Sequence, residues 1–365
     1  MKIGIALRTW DEKGGIGSYT RSIVKTLLNM DRKNEYVLFF NDHSFLGNFS
    51  SHENVREILV PNTHKLIWDQ ISLPRYAQKE NVDIIFHAKF SIPLFSQKKT
   101  VMVLHGTERF RYKNFHPMSD VLFFKTIYPY YLKRATHILA DSERARQDII
   151  EILKINPDNI TTIHLAGGDG FRKIDDNEVL QFIREKYHLP KRFIIYVGHI
   201  YPGKNVGRLF QAFDQLRKEI DIKLVMVGMK RWKFKEDLKW LDKLGINNDV
   251  ISLGYVPHDD LIALYNLAEM TVFPSIYECF PAIPIDANAC GCPVVTSYTG
   301  GTPEAAGDAA VYVNPFDVQD IYAAMLKTLT DETLRQDLIE KGFKNAKRFS
   351  WEKTAEKTLS VLESI

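Results

Sequence analysis

Two carboxylates with seven residues between them, Glu278 and Asp286, lie inside the apolar stretch 272–295. Prolines and a glycine interrupt this stretch, so we expect a strand to end near residue 275 and a helix to begin near Ile283. Asp286 in the first turn of that helix is favourable for the helix dipole even without a function. Glu278 has no such structural explanation, because aromatic and apolar residues flank it. A diphosphate on the free N–H groups of the helix would leave both acids near its sugar hydroxyls.

Two further residues that could bind an anion follow another predicted strand. The segment "YVGHIYPGKN" places His199 and Lys204 after a strand over 193–198. Lys204 directly precedes a helix for which Asn205 is a possible N-cap. A cation at a helix N-terminus is unfavourable for the helix dipole, which favours a role in binding an anion. A solvated surface lysine is the alternative.

The N-terminal half contains two weaker candidates. In "DEKGGIGSYT", Gly14 and Gly15 lie between the first strand and a helix, where the backbone can approach a phosphate closely. A plain turn explains the same glycines equally well. His105 ends the strand of "TVMVLHG", and a single histidine in that position is more often structural than catalytic.

Thirteen short apolar runs alternate with segments whose apolar residues recur at helical spacing. This alternation predicts α/β architecture with parallel sheets. The polar, glycine-rich segment "GGDGFRKIDDNE" divides the runs and is interpreted as a linker. We therefore expect two Rossmann-like domains facing a cleft, over 1–170 and 171–349. A C-terminal helix over 350–365 should pack toward the first domain. The runs lie at 2–9, 35–42, 55–61, 83–89, 100–106, 136–142, 160–166, 193–198, 223–228, 250–256, 271–275, 293–297 and 309–314.

Composition excludes several classes of protein. The 365 residues are 45% hydrophobic and 25% charged, with a formal net charge of +3, which is far from the basic clustering of a nucleic-acid binder. The three cysteines do not suggest a disulfide framework. No apolar window reaches the length of a membrane span, and the N-terminus is typical of a strand rather than a signal peptide. These features indicate a cytoplasmic protein.

Taken together and in order, six segments resemble the landmarks of the retaining glycosyltransferases of family four, also called glycosyl transferases group 1, which have the GT-B fold. They are "GGIGSYTRSI", "ADSERARQDI", "YVGHIYPGKN", "GYVPHDDLIALYNLAEMTVFPSIYECF", "DANACGCPVV" and "GGTPEAAGDAAVYVNP". The resemblance covers essentially the whole chain. It implies transfer of a hexosyl unit from a nucleoside-diphosphate sugar to a hydroxyl of a glycan or lipid-linked acceptor, as in polysaccharide biosynthesis. The second domain would hold the donor.

The resemblance also implies roles for single residues. His105 and Glu278 match residues near the reacting carbon, Lys204 matches the lysine on the donor diphosphate, and Asp286 matches the acid on the ribose. The other positions that match donor-binding sites are Gly14, Gly15, His199, Val256, Phe280, Ala282 and Ile283. The resemblance implies neither a cofactor nor a metal ion, and the sequence contains no D-x-D motif.

Three departures from the family pattern affect the donor site. His199 replaces the usual arginine, Asp286 replaces a glutamate, and Pro281 has no N–H to donate. A nucleotide-sugar-binding protein with weakened or lost catalysis is therefore the alternative function. A sugar phosphorylase and a dinucleotide oxidoreductase are less favoured, the latter because the glycines are not spaced as G-x-G-x-x-G.

The acceptor is least constrained by the sequence. "DVLFFKTIYPYYLKRATH" combines aromatic residues with Lys125, Lys133 and Arg134. This pattern suits peripheral contact with the inner face of a membrane, although a core helix with a basic exposed side explains it too.

Overall fold

A computed structural model describes residues 1–12, 14–61, 64–89 and 91–365 of the chain. It divides into two compact units. The first unit comprises Met1–Arg111, Met118–Leu165 and Ser350–Ile365, and the second comprises Tyr112–Pro117 and Ala166–Phe349. The C-terminal helix is therefore grouped with the first unit. The first helix of this unit and the C-terminal helix share one apolar cluster, which includes Ile23, Leu27, Ala355 and Leu362.

The first unit contains a parallel sheet of seven strands within the described residues, in the order β3-β2-β1-β4-β5-β6-β7. Each strand lies within one of the apolar runs identified in the sequence or starts one residue before it, so the prediction of a parallel α/β domain is confirmed. The strands are β1 (Lys2–Ala6), β2 (Glu35–Phe40), β3 (Val55–Leu59), β4 (Ile84–His87), β5 (Lys99–Leu104), β6 (His137–Ala140) and β7 (Ile160–Thr162).

Helices cover both faces of this sheet. Along β2, Tyr36, Leu38 and Phe40 belong to one apolar cluster, whereas Val37 and Phe39 belong to another. This period of two is expected for a strand that is buried on both sides. The α-helices are α1 (Gly15–Met30), α2 (Lys65–Ile67), α3 (Leu73–Lys79), α4 (Glu108–Arg111), α5 (Met118–Thr126), α6 (Tyr128–Arg134) and α7 (Glu143–Leu153), with a π-helical turn at Trp68–Ser72.

The second unit contains a parallel sheet of six strands, in the order β10-β9-β8-β11-β12-β13. These strands also lie within the predicted runs, which confirms a second Rossmann-like unit. They are β8 (Phe193–Val197), β9 (Lys223–Val227), β10 (Val250–Gly254), β11 (Thr271–Phe273), β12 (Val294–Ser297) and β13 (Val311–Val313).

The remaining helices are α8 (Asn177–Lys186), α9 (Val206–Leu216), α10 (Phe234–Leu244), α11 (His258–Leu267), α12 (Ile283–Ala289), α13 (Thr302–Ala306), α14 (Val318–Thr330), α15 (Glu332–Ala346) and α16 (Trp351–Ser364). The segment interpreted as a linker is instead packed on the second unit. The backbone N–H of Gly168 donates to Asp286, and Asn266 bonds to the backbone at Arg172 and Ile174. The segment does begin at the division between the two units, after Leu165, but its backbone makes specific hydrogen bonds within the second unit, so it is not a free linker.

Strand order reverses once in each sheet, between β1 and β4 and between β8 and β11. At such a point the connections leave in opposite directions, and a crevice forms at the carboxyl ends of the two strands. Ligands of open α/β sheets bind in this crevice. No helix in the described part of the chain is long and apolar enough to cross a membrane.

Candidate active site

Lys204 is positioned by the connection that follows β8. The chain forms a short 3₁₀ turn at Pro202–Lys204, and Asn205 adopts a left-handed conformation before α9 begins. Asn205 occupies the N-cap position, but its side chain does not cap the helix. It donates instead to the carbonyl oxygens of Pro274 and Pro315, at 2.9 and 2.6 Å. These bonds tie the Lys204 turn to the connections after β11 and β13.

Lys204 and Glu278 form an ion pair at the β8/β11 reversal, with 2.6 Å between Nζ and Oε1. The two side chains are only 12% and 16% exposed. Nζ also lies 4.8 Å from the ring centroid of Phe273 and 5.9 Å from that of Tyr201. The two candidates are therefore in direct contact, mostly buried, and beside aromatic faces that favour a cation.

The backbone of Glu278 is held by the connection after β12. Gly301 donates its N–H to the Glu278 carbonyl at 2.8 Å. Gly300 adopts φ +63°, and a Cβ added there would lie 2.2 Å from the same carbonyl oxygen. Only glycine fits this close approach. Sequence analysis did not assign Gly300 to the site, although two adjacent glycines can indicate a close approach of the backbone to another group.

His199 lies beside a cation that sequence analysis missed. A guanidinium nitrogen of Arg231 is 3.3 Å from its Nε2. Burial, together with the charges of Arg231 and Lys204, lowers the pKa of His199. The imidazole is therefore neutral near pH 7, and Arg231 and Lys204 carry the positive charge. Because Arg231 comes 32 residues after His199, no local motif indicates the pair.

Asp286 lies in the first turn of α12, as predicted. Its hydrogen bond is to Gly168, however, and not to either member of the Lys204–Glu278 ion pair. Its Oδ1 accepts from the N–H of Gly168 at 2.8 Å. A Cβ on Gly167 would lie 2.6 Å from the same oxygen. Burial raises the pKa of Asp286 to about 7, and the Gly168 hydrogen bond offsets this only in part. The structure thus holds a carboxyl group that is poorly solvated when ionised.

The remaining donor-side candidates lie at helix starts. Ala282 is the N-cap of α12 and Ile283 its first residue. Phe280 is buried and packs edge-to-face on Phe349, with 5.4 Å between ring centroids. Val256 is buried after β10, so only its backbone is suited to contact a base. These positions are described in the structure, but nothing in its contacts assigns them a ligand.

The segment Tyr112–Pro117 adds an aromatic wall to the second unit. Trp232 donates its indole N–H to the Phe115 carbonyl at 2.6 Å. His116 packs against both Trp232 and Tyr201, whose ring also faces Lys204. A further ring pair joins Tyr112 and Tyr277, the residue before Glu278.

In the first unit, His105 already has partners for both ring nitrogens. Nδ1 lies 2.9 Å from Asp141 Oδ2, and Nε2 lies 3.0 Å from the carbonyl oxygen of Ala88. Burial lowers the pKa of His105, but the adjacent Asp141 carboxylate raises it more, so the net shift is upward. Tyr19 packs on the ring at 4.6 Å. This geometry positions the backbone around residue 88 and leaves no free ring nitrogen.

The glycine loop after β1 precedes α1, as expected. Gly14 is the N-cap at φ 107°, and Gly15 is the first residue of the helix. A Cβ on Gly17 would lie 1.8 Å from the Glu12 carbonyl oxygen, whereas one on Gly15 would meet open space. Gly15 is thus the one position of the three at which the described structure imposes no steric need for glycine.

Two family models match the chain. "Glycosyltransferase Family 4" matches residues 13–166, and "Glycosyl transferases group 1" matches residues 180–345. The O-antigen chain mannosyltransferase B of Escherichia coli is 30% identical over 367 residues, covering 95% of each chain. The serotype-specific mannosyltransferase WbdA of Escherichia coli is 36% identical over 228 residues, which are 61% of this chain and 28% of the relative. Anabaena HepE, solved with UDP and glucose, superimposes with a TM-score of 0.76 at 17% identity over the full length of both chains.

The two parallel-sheet units and the similarity to whole glycosyltransferase chains confirm the GT-B fold class. The chain belongs to the glycosyl transferases group 1 family and is a glycosyltransferase.

Proposed function

We propose that this glycosyltransferase moves a mannosyl unit from a nucleoside-diphosphate mannose to a hydroxyl of a mannose-containing glycan and retains the anomeric configuration. The observation that carries the proposal is the Lys204–Glu278 pair at the β8/β11 reversal. Open α/β sheets bind nucleotides at this place. The choice of mannose is supported by the two Escherichia coli relatives, both of which are mannosyltransferases.

The proposed chemistry needs positive charge at the leaving group. Negative charge develops on the diphosphate oxygens as the bond to the sugar breaks, and fixed cations stabilise it. Lys204 and Arg231 are the cations that the structure places around neutral His199. When the diphosphate binds, Lys204 exchanges part of its contact with Glu278 for the ligand, and Glu278 becomes available to a sugar hydroxyl. The leaving phosphate accepts the proton of the acceptor hydroxyl.

Two further assignments belong to the same proposal. Asp286 would accept hydrogen bonds from the ribose hydroxyls, which supply the donors that its poorly solvated carboxylate needs. Transfer would proceed without a metal ion, because the cations named above act on the diphosphate. Equal rates with magnesium and with EDTA would support the second assignment, and loss of activity in EDTA would refute it.

The experiment measures release of free nucleoside diphosphate from GDP-mannose, UDP-glucose and UDP-N-acetylglucosamine, with an octyl mannoside as acceptor. The anomeric configuration of the product is read by NMR. We expect release from the mannose donor, an α-product, and a loss of about 100-fold or more in kcat for Lys204→Met. Lys239→Met is the control, since Lys239 pairs with Glu236 on the exposed face of α10. Nucleotide binding without release from any donor would support the alternative, a binding protein with lost catalysis.

We also propose that the protein works in the cytoplasm, in peripheral contact with the inner membrane face. On α5 and just beyond it, Met118, Leu122 and Tyr130 are 80%, 60% and 66% exposed. Exposed Lys125 and Lys133 accompany them, which suits an anionic surface. Arg134 does not belong to this surface, because it bonds to the carbonyls of residues 94 and 96.

Vesicle sedimentation tests this contact. We expect binding to phosphatidylglycerol vesicles but not to phosphatidylcholine vesicles, and loss of binding in Leu122→Asn. Phe182→Asn, an exposed apolar residue of the second unit, is the control. Equal binding of both variants would refute the contact through α5.

A further inference from the structure

The side chain of Asn205 joins three connections at the carboxyl edge of the second sheet. Asn205 directly follows Lys204 and is 3% exposed. Its side-chain nitrogen donates to the carbonyl oxygens of Pro274 and Pro315, which follow β11 and β13. Its side-chain oxygen accepts from the Arg208 guanidinium at 2.9 Å. Because a guanidinium only donates hydrogen bonds, this bond fixes which end of the amide faces the two carbonyls.

Lys204 is held on both sides by the connection after β11. On one side, the carbonyl oxygen of Gly203 accepts from the N–H of Ile276 at 2.9 Å. On the other side, Asn205 donates to the Pro274 carbonyl at 2.9 Å. The two bonds fix the backbone of Lys204 relative to this connection. The first bond is made by backbone atoms alone, so only the bond from Asn205 depends on the identity of a side chain.

The Asn205 side chain is not needed to cap α9. Asparagine is favoured at an N-cap because its side-chain oxygen accepts from the second or third residue of the helix. In α9 the N–H of the second residue, Gly207, donates instead to Asp237 of α10 at 3.1 Å. Asn205 also adopts φ +62°, a conformation in which glycine is unstrained. The amide is therefore explained by the connections that it joins and not by the helix that it precedes.

We propose that Asn205 is a positioning residue of the transfer reaction, whose amide holds Lys204 where its ammonium group meets the diphosphate leaving group. The inference rests on the proposed function and adds a residue that acts on the reaction only through Lys204. Stabilisation of the developing charge needs a cation that is already in place, and a displacement of about 1 Å can lower the rate about 100-fold. Loss of the amide should therefore slow the reaction, whereas loss of a merely structural amide would lower only the unfolding free energy.

The test variant is Asn205→Gly, which deletes the amide and permits the left-handed backbone. Two control variants match its parts. Asn81→Gly makes the same substitution at an exposed asparagine with φ +51°, so it measures the effect of glycine on the backbone. Asn266→Ala removes an amide of the second unit that also donates to two backbone carbonyls, those of Arg172 and Ile262, both at 2.9 Å.

The assay measures release of GDP from GDP-mannose with octyl mannoside as acceptor, and urea unfolding measures the stability of each variant. We expect Asn205→Gly to lower kcat about tenfold or more and to change the donor KM by less than about threefold, since the cation acts mainly on the transition state. Asn81→Gly and Asn266→Ala should keep the wild-type kcat, even where they lower the unfolding free energy. Asn205→Gly added to Lys204→Met should lower kcat no further, because the group that it positions is already absent.

Two results would overturn the inference while the proposed function stands. If Asn205→Gly loses stability but keeps kcat, the amide is only structural. If the losses of Asn205→Gly and Lys204→Met multiply in the double variant, Asn205 does not act through Lys204. The single variants distinguish a positioning role from a structural role even if the double variant does not fold.

A different set of results would identify failure of the proposed function. If wild type binds GDP but releases none from any donor, the proposed function is wrong, and calorimetry with GDP then tests Asn205. Asn205→Gly should weaken GDP binding as a displaced Lys204 would, and unchanged affinity would refute the positioning role. If wild type neither binds GDP nor turns over any donor, both proposals are wrong.

Discussion

Replacing Asp286 by Asn should stabilise the second unit, and the gain should grow with pH. The folded state holds the pKa of Asp286 at about 7, compared with 3.8 for an ordinary aspartate. Between these values the folded state binds a proton that the unfolded state has lost, so stability falls as pH rises. At about 1.4 kcal/mol per pKa unit, the full shift corresponds to about 4 kcal/mol above pH 7. Because Asp286 keeps some contact with solvent, this is an upper bound.

The pH dependence separates the contribution of the raised Asp286 pKa from the other contributions that the substitution makes to the unfolding free energy. Asparagine can still accept the Gly168 hydrogen bond through its oxygen. From the two pKa values, the difference in unfolding free energy between Asp286→Asn and wild type should increase by about 2 to 3 kcal/mol from pH 5 to pH 8. Urea unfolding followed by tryptophan fluorescence measures this difference, with Trp232 and Trp240 as reporters in the second unit.

The same substitution at Asp259, an exposed acid in the first turn of α11, is the control. A difference for Asp286→Asn that stays constant within about 0.5 kcal/mol from pH 5 to pH 8 would refute the argument, because an ordinary pKa at this site predicts no slope. If Asp286 also holds the ribose, the stabilised variant should bind nucleoside diphosphate more weakly. Such a trade between stability and function is common at binding sites.

Three other substitutions follow from the donor-side contacts. Lys204→Met should destabilise the second unit by about 3 kcal/mol, because it leaves Glu278 partly buried without its cation; adding Glu278→Gln should recover part of this in a urea double-mutant cycle. Arg231→Gln should raise the pKa of His199 in an NMR titration and weaken nucleoside diphosphate binding about three- to tenfold by calorimetry. Gly300→Ala should lower the unfolding free energy by about 2 kcal/mol or more in urea, since φ +63° and the Glu278 carbonyl both oppose a Cβ; an unchanged value would refute the steric argument.

The sheets were predictable because their signal is local. Each strand is a short apolar run. This sequence pattern, which is typical of strands buried on both faces, can be recognised without knowing which residues cover the strand. The start of α12 at Ile283 was also visible, since Pro284 occupies the early helical position that proline favours. The interpretation of 167–178 as a linker failed for the opposite reason. Its polarity was visible, but its hydrogen bonds go to Asp286 and Asn266, about a hundred residues away in the chain.

The sequence predicted which residues belong to the candidate site but not the contacts that these residues make. Motif order indicated Lys204 and Glu278, and the structure shows in addition that they are in contact. The sequence did not indicate that both nitrogens of His105 are bonded, because Asp141 lies on another strand connection and Ala88 contributes only its backbone.

His199, which stands where the resemblance implies an arginine, illustrates how sheet register bears on the proposed donor site. The segments after β8 and β9 run side by side, and Ile200 forms a parallel bridge with Lys230. This register places Arg231, the next residue, against the His199 ring. Burial and the neighbouring guanidinium lower the pKa of His199 and keep the imidazole neutral, and Arg231 presents a permanent charge 3.3 Å from the ring. A substitution that appears in the sequence as the loss of a cation is, in the folded unit, accompanied by a cation on the adjacent connection. We therefore expect the donor site to retain its positive charge at pH 8, where a solitary histidine would have lost it.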